Sequence, residues 1–311
     1  MRATRAWPYT RSGHECTAGD RGTPRAAARK RVLDVRLYIS ADMEGTAAVA
    51  SWTQVDPKNQ TEYPYYRKLM SLEVRAAIDA AREAGVTDVL VNDSHSSMRN
   101  VLWDELPPDV RMIYGNRKPF SMNEGIDGSF AAAFFTGYHA GIGQGDGTLD
   151  HTYSPDTLYA VRVNGIACSE ALLNAALLGT HGVPVVLITG DRTTVESARE
   201  HLPWITPVAI KESIGRFAVN SLSPEFARRA IAAGARSAIA ALANARPFTF
   251  EAPVELELDF AGTQNADFAE LIPGVERVGG RTVRYVHDDF RTVFRTFVAA
   301  MRLGGAANAP V

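Results

Sequence analysis

Asp42 and Glu44 set two carboxylates two residues apart at the end of the apolar run Leu37-Tyr38-Ile39. On an extended strand, residues i and i+2 point the same way, so both acids are expected on one face at the strand's end. Adjacent carboxylates repel unless something positive lies between them, and a divalent cation is the usual occupant. The plainer alternative is a pair of solvated acids at a strand exit. His95, in Asp93-Ser94-His95-Ser96, and His139, in Gly137-Tyr138-His139-Ala140, each follow another apolar run. Taken singly, one could be a solvated loop histidine and the other a satisfied core histidine. Together with Asp42 and Glu44 they deliver metal-ligand chemistry from three strand exits to one rim. Glu170 falls in the first turn of an expected helix, where the helix dipole alone would favour an acid. Asp93 and Asp191, also at strand ends, suit either orienting a ligand histidine or capping a turn.

The elements that must carry these residues alternate. After the first strand comes a polar connection, Ser51 to Glu62. Apolar residues at helical spacing (Leu69, Leu72, Ala76, Ala80) then predict a helix over Tyr65–Ala84, stopping at Gly85. Val86–Asn92 reads as a second buried strand, and a helical crossover of that length implies a parallel pair. Further strands are expected at Val110–Tyr114, Ala131–Thr136, Tyr159–Val163 and Val183–Thr189, with a helix at Ser169–Leu178. The glycines at 141, 143, 145 and 147 lack the strand-to-helix setting of a phosphate loop, so nucleotide binding is not expected. Ser223-Pro224-Glu225 opens a helix running to about Asn244. Strands near Val254–Leu258 and Thr282–Tyr285 and a helix from about Asp288 to Met301 complete the chain. The expected fold is α/β: a three-layer, mostly parallel sheet with helices on both faces, plus a smaller α+β subdomain or insertion. Sites in such sheets lie beyond the carboxyl ends of the strands.

The composition is that of an ordinary globular chain: 46% apolar and 22% charged over 311 residues, with net charge −2. That balance gives no reason to expect nucleic acid or an anionic membrane as partner, and no apolar run approaches membrane-spanning length. Residues 1–34 are Arg-rich, acid-poor and aperiodic, and are read as a disordered basic extension. The catalytic domain is expected over 35–305, possibly as two subdomains, with 306–311 a flexible tail. Two cysteines, Cys16 and Cys168, argue against a disulfide framework and for a reducing cytoplasm. Cys168, at a helix start, is expected to fill a contact rather than act as a nucleophile.

Four blocks occur in order: Ser40-Ala41-Asp42-Met43-Glu44-Gly45, Val91-Asn92-Asp93-Ser94-His95-Ser96, Lys118-Pro119-Phe120-Ser121-Met122 and Gly137-Tyr138-His139-Ala140. In these the chain resembles the zinc-dependent D-aminopeptidase family, formerly labelled dipeptide-transport protein, from about Arg36 onward. The resemblance implies two zinc ions per subunit. Asp42 would bridge them, Glu44 would complete one, and His95, His139 and Glu170 would supply the other ligands. His151 matches the family's catalytic histidine. The chain departs from the family at Ser169, where glycine is expected, and at Asp150, where the best-known member has serine. Imidazole and carboxylate suit zinc, and a metal-bound hydroxide would be the nucleophile. His151, described in the family as a nucleophile, is therefore better suited to proton transfer or oxyanion contact. The implied function is removal of the N-terminal residue from short, D-Ala-type peptides by a cytoplasmic homo-oligomer, a decamer of stacked rings. The alternatives are a dinuclear phosphoesterase or amidase, and a non-catalytic peptide-binding protein of an uptake system.

Overall fold

A computed structural model describes residues 35–309. The extension expected over residues 1–34, and Cys16 within it, lie outside the described residues. In chain order come β1 (Val35–Ala41), α1 (Trp52–Val55), α2 (Tyr63–Glu83), β2 (Val86–Asp93), β3 (Arg111–Ile113), β4 (Ala132–Tyr138), β5 (Leu158–Val163) and β6 (Ile166–Ala167). Then follow α3 (Glu170–Gly179), β7 (Val185–Asp191), α4 (Arg192–His201), β8 (Thr206–Gly215), β9 (Ala218–Ser221) and α5 (Pro224–Ala240). The last are β10 (Val254–Phe260), α6 (Thr263–Ala269), β11 (Glu276–Arg277), β12 (Thr282–His287) and α7 (Phe290–Ala306).

Seven strands form one sheet in the order β3-β2-β1-β4-β7-β8-β9, parallel throughout except for the β8–β9 hairpin. Its central strands are buried on both faces, which is why β1, β4 and β7 read as continuous apolar runs rather than alternating ones. Leu37 and Ile39 join Met70, Val74 and Ile78 of α2 and Ile231 of α5 in one core. Tyr38, Phe135 and Ile188 point to the opposite face, against Ala171 and Leu178 of α3 and Val195 of α4. Helices thus cover both faces, as expected.

The second sheet, β11-β12-β10-β5-β6, is antiparallel. β10 alternates strictly between buried and half-buried residues, because only one face meets a core. That core packs Leu256, Leu258 and Val161 against Phe294 and Phe297 of α7 and Leu173 of α3. α3 serves both sheets, and all ten of its residues are buried.

The sequence missed α1, α4, α6, the two-residue strands β6 and β11, and the β8–β9 hairpin. α4 buries only Thr194, Val195 and Ala198, too few to give a helical stripe. β8 carries Lys211 and Glu212 in mid-strand, which breaks any apolar run. Asn308, in the expected tail, accepts a hydrogen bond from Asn265 Nδ2 (2.7 Å). No helix among the described residues is long and apolar enough to cross a membrane. Cys168 is buried and donates to the Ile166 carbonyl (3.2 Å), and burial pushes its thiol up to about 12, which removes it as a nucleophile at neutral pH.

Candidate metal centre

Asp42 and Glu44 do not share a strand face. β1 ends at Ala41, and the two carboxylates are brought together by a turn in which Thr46 N–H bonds the Met43 carbonyl (3.0 Å). Asp42 N–H still reaches the Thr136 carbonyl of β4 (2.8 Å), and Gly45 N–H reaches that of Gly137 (2.8 Å). The turn is therefore stitched to the strand that delivers His139. Gly137 sits at φ +68°, where a side chain is disfavoured and a Cβ would overlap the Asp42 carbonyl. The β4–β7 register slips at this point, and the resulting bulge aims His139 into the site. Gly45 and Gly190 press on the Tyr138 carbonyl oxygen, each so closely that a Cβ would overlap it.

His95 comes from the loop after β2. Ser94 N–H bonds the Ala41 carbonyl (2.8 Å), and Asp93 holds the loop by accepting from Asn100 N–H (2.6 Å) and Val101 N–H (2.7 Å). Asp191 accepts from Thr194 N–H (2.9 Å) as the N-cap of α4. Of the two roles open to these aspartates, both take capping, and neither orients a histidine. Glu170 opens α3 behind its N-cap Ser169 and accepts from Tyr153 N–H (2.6 Å).

The six expected residues converge, and none is more than 6% exposed. Glu44 Oε2 lies 3.0 Å and Asp42 Oδ1 3.4 Å from His95 Nδ1. Asp42 Oδ2 lies 3.4 Å from His139 Nε2, which is 3.2 Å from Glu170 Oε1. His151 Nε2 is 3.6 Å from Glu170 Oε1 and 3.9 Å from Glu44 Oε1, with its ring stacked on His139 at 3.9 Å. The ligand atoms of Asp42, Glu44 and His95 lie within 4.8 Å of one another, as do those of His139, His151 and Glu170. The structure thus brings His151 within ligand reach as well.

Each imidazole is fixed through its other nitrogen by a backbone carbonyl: His95 Nε2 by Val55 (2.7 Å), His139 Nδ1 by Ala140 (2.9 Å) and His151 Nδ1 by Leu149 (2.8 Å). Such bonds set ring orientation and leave one nitrogen facing inward, the usual support of a metal-binding histidine. Three buried carboxylates without fixed cations are costly. Burial and then Glu44 raise Asp42 to about 7. Burial alone would lower His139, but Glu170 and Asp42 lift it to about 10. His95 is likewise raised against its burial by Glu44 and Asp42, whereas burial and the His139 charge hold His151 low. Among the described residues Asp42 Oδ2 is buried with no hydrogen-bond donor. An orphaned carboxylate oxygen between two sets of nitrogen and oxygen donors fits divalent metal, and the donor types fit zinc.

Two buried ionisable residues hold the Glu44 turn and were not legible as site residues. Lys211 Nζ donates to the carbonyls of Glu44 (2.5 Å), Thr46 (3.0 Å) and Val49 (2.8 Å). Glu73 of α2 accepts from Ala47 N–H (2.9 Å), and burial raises its carboxyl to about 7. The available signal was a lone lysine in the apolar stretch Val208-Ala209-Ile210-Lys211.

A sequence profile of the D-aminopeptidase family matches residues 35–299. The chain belongs to the D-aminopeptidase family. A D-aminopeptidase of Bacillus subtilis is 34% identical over 273 residues, covering 86% of this chain and 97% of that protein. Among solved structures, the Zn-dependent D-aminopeptidase DppA from Bacillus subtilis, described as a self-compartmentalizing protease, superposes with a TM-score of 0.84. It is 33% identical, and the match spans 87% of this chain and 98% of DppA. The two-sheet architecture described above is therefore that of a D-aminopeptidase.

Proposed function

We propose that this chain is a zinc-dependent aminopeptidase that removes the N-terminal residue from short D-amino-acid peptides of the D-Ala type. The observation that carries the reading is Asp42, whose two carboxylate oxygens face two different imidazoles, His95 and His139, each at 3.4 Å. In this reading Asp42, Glu44 and His95 would hold one zinc ion, and His139 and Glu170, with the second oxygen of Asp42, would hold another. Bound zinc supplies carbonyl polarisation and a water acidified to a pKa near 7. The D preference rests on family membership, as does displacement of the phosphoesterase, amidase and carrier alternatives.

His151 serves as the proton carrier. Its Nδ1 donates to the Leu149 carbonyl, so the neutral ring presents the Nε2 lone pair to the cleft between Glu44 and Glu170. That nitrogen can take the proton of the attacking water and pass it to the departing amine. The test compares D-Ala-D-Ala with L-Ala-L-Ala on zinc-reconstituted protein and on a His151→Gln variant. Cleavage of the D-peptide with kcat about 10²–10⁴-fold lower in the variant, at undiminished zinc content, is expected. Loss of zinc from the variant would reassign His151 as a ligand, and cleavage of the L-peptide alone would discard the substrate class.

The same reading makes the protein a cytoplasmic homo-oligomer, the stacked-ring decamer of the family, with DppA's self-compartmentalizing description as support. A monomeric mass in light scattering would overturn that assembly.

A further inference from the structure

The metal centre opens into a cleft of about 970 Å³ whose lining includes two guanidinium groups, Arg216 and Arg302. Arg216 is committed to the loop bearing His151. Its Nε lies 2.9 Å from Asp150 Oδ1, and its Nη2 donates to the Asp150 carbonyl (2.9 Å). Arg302, on α7, has a neutral partner instead: Nη2 donates to Asn116 Oδ1 (3.2 Å). Among the described residues no carboxylate pairs with it. Arg302 is solvent-exposed at the cleft, and partial desolvation and then the like charge of Arg117 hold it below its usual value, the condition of a cation that would gain from an anion. Asn116 in turn donates to the Ser96 carbonyl (2.8 Å), next to His95. The guanidinium is thus two hydrogen bonds away from the loop that carries a candidate metal ligand.

We propose that Arg302, seated on Asn116, is a carboxylate subsite that holds the C-terminal carboxylate of a short peptide whose N-terminal residue lies at the metal centre. The inference rests on the aminopeptidase reading and names the other end of its substrate. A guanidinium fork matches a carboxylate bidentately and carries more energy than a neutral hydrogen bond. The remaining acids lining the cleft, Asp56 and Asp156, offer a carboxylate no complementary charge. A cation in the cleft also selects by length, since only a peptide whose terminal carboxylate reaches Arg302 gains the contact.

The test compares kcat/KM for D-Ala-D-Ala and its C-terminal amide, with zinc-loaded wild type, Arg302→Gln and Arg302→Lys. Wild type is expected to favour the acid by about tenfold or more, through KM. In Arg302→Gln the acid-to-amide ratio falls to near one at unchanged zinc content, and Arg302→Lys retains part of the preference. In wild type, added salt raises KM for the acid and not for the amide, a readout that needs no variant. Equal turnover of acid and amide by wild type, or a ratio unchanged in Arg302→Gln, overturns the subsite and leaves the aminopeptidase standing. Zinc-loaded wild type that cleaves neither overturns both.

Discussion

In an Asp42→Asn variant, the proposed centre is expected to lose half or more of its zinc, and D-Ala-D-Ala hydrolysis to drop on the order of 10³-fold. The reason is that Asp42 alone faces both halves of the cluster, through Oδ1 toward His95 and Oδ2 toward His139. Asparagine keeps the carbonyl oxygen that accepts from Met43 N–H (2.9 Å) and replaces one anionic oxygen with an amide that cannot ligate. The metal-free fold is expected to lose little, because burial and Glu44 raise Asp42 to about 7, so near neutral pH the carboxyl is already protonated in about half of the molecules. Elemental analysis beside a thermal melt separates the two effects. Full zinc retention with intact turnover would remove Asp42 from the bridging position.

Lys211→Met acts on the same centre from behind. Methionine fills the volume but leaves the carbonyls of Glu44 and Val49 without this donor, while that of Thr46 keeps only Val49 N–H (3.2 Å). Orphaned buried acceptors cost about 1–3 kcal/mol each, and loss of a buried charge from its partners about 3–5 kcal/mol in all. Burial lowers Lys211 to about 8, opposed by Asp191, Glu73 and Glu44, so the ammonium persists at neutral pH. The expected result is a loss of about 4 kcal/mol in denaturant unfolding of the metal-free protein, with weaker zinc affinity because Glu44 is no longer held. A variant within 1 kcal/mol of wild type, binding zinc as tightly, would show that the turn needs no such support.

What could be read in the chain beforehand follows from where each signal resides. Asp42, Glu44, His95 and His139 were legible because each follows an apolar run, and parallel strands announce themselves by burial on both faces. The reason the acids meet was not legible: the turn at Met43–Thr46 and the bulge at Gly137 arise from backbone packed on backbone, which leaves no periodic trace. The carbonyls of Val55, Ala140 and Leu149 orient the histidines without any residue type marking them. Lys211 was hidden because a charged side chain in an apolar stretch argues against a buried strand until its three acceptors are known. α4 and the β8–β9 hairpin expose too much polar surface to declare a period.

The cavity is set apart from what stands behind it by the contacts of Gly45 and Gly190 with the Tyr138 carbonyl. Its support there is main chain laid on main chain, so a side chain added at either glycine would displace the segments that carry Glu44 and His139. Its walls are side chains from separate pieces of the fold: Trp52, the 96–98 loop, Arg216 and Arg302. Change in what the enzyme accepts, whether by divergence or in the laboratory, is therefore open at the rim and closed at the base. The reaction stays constant while its clientele is free to vary.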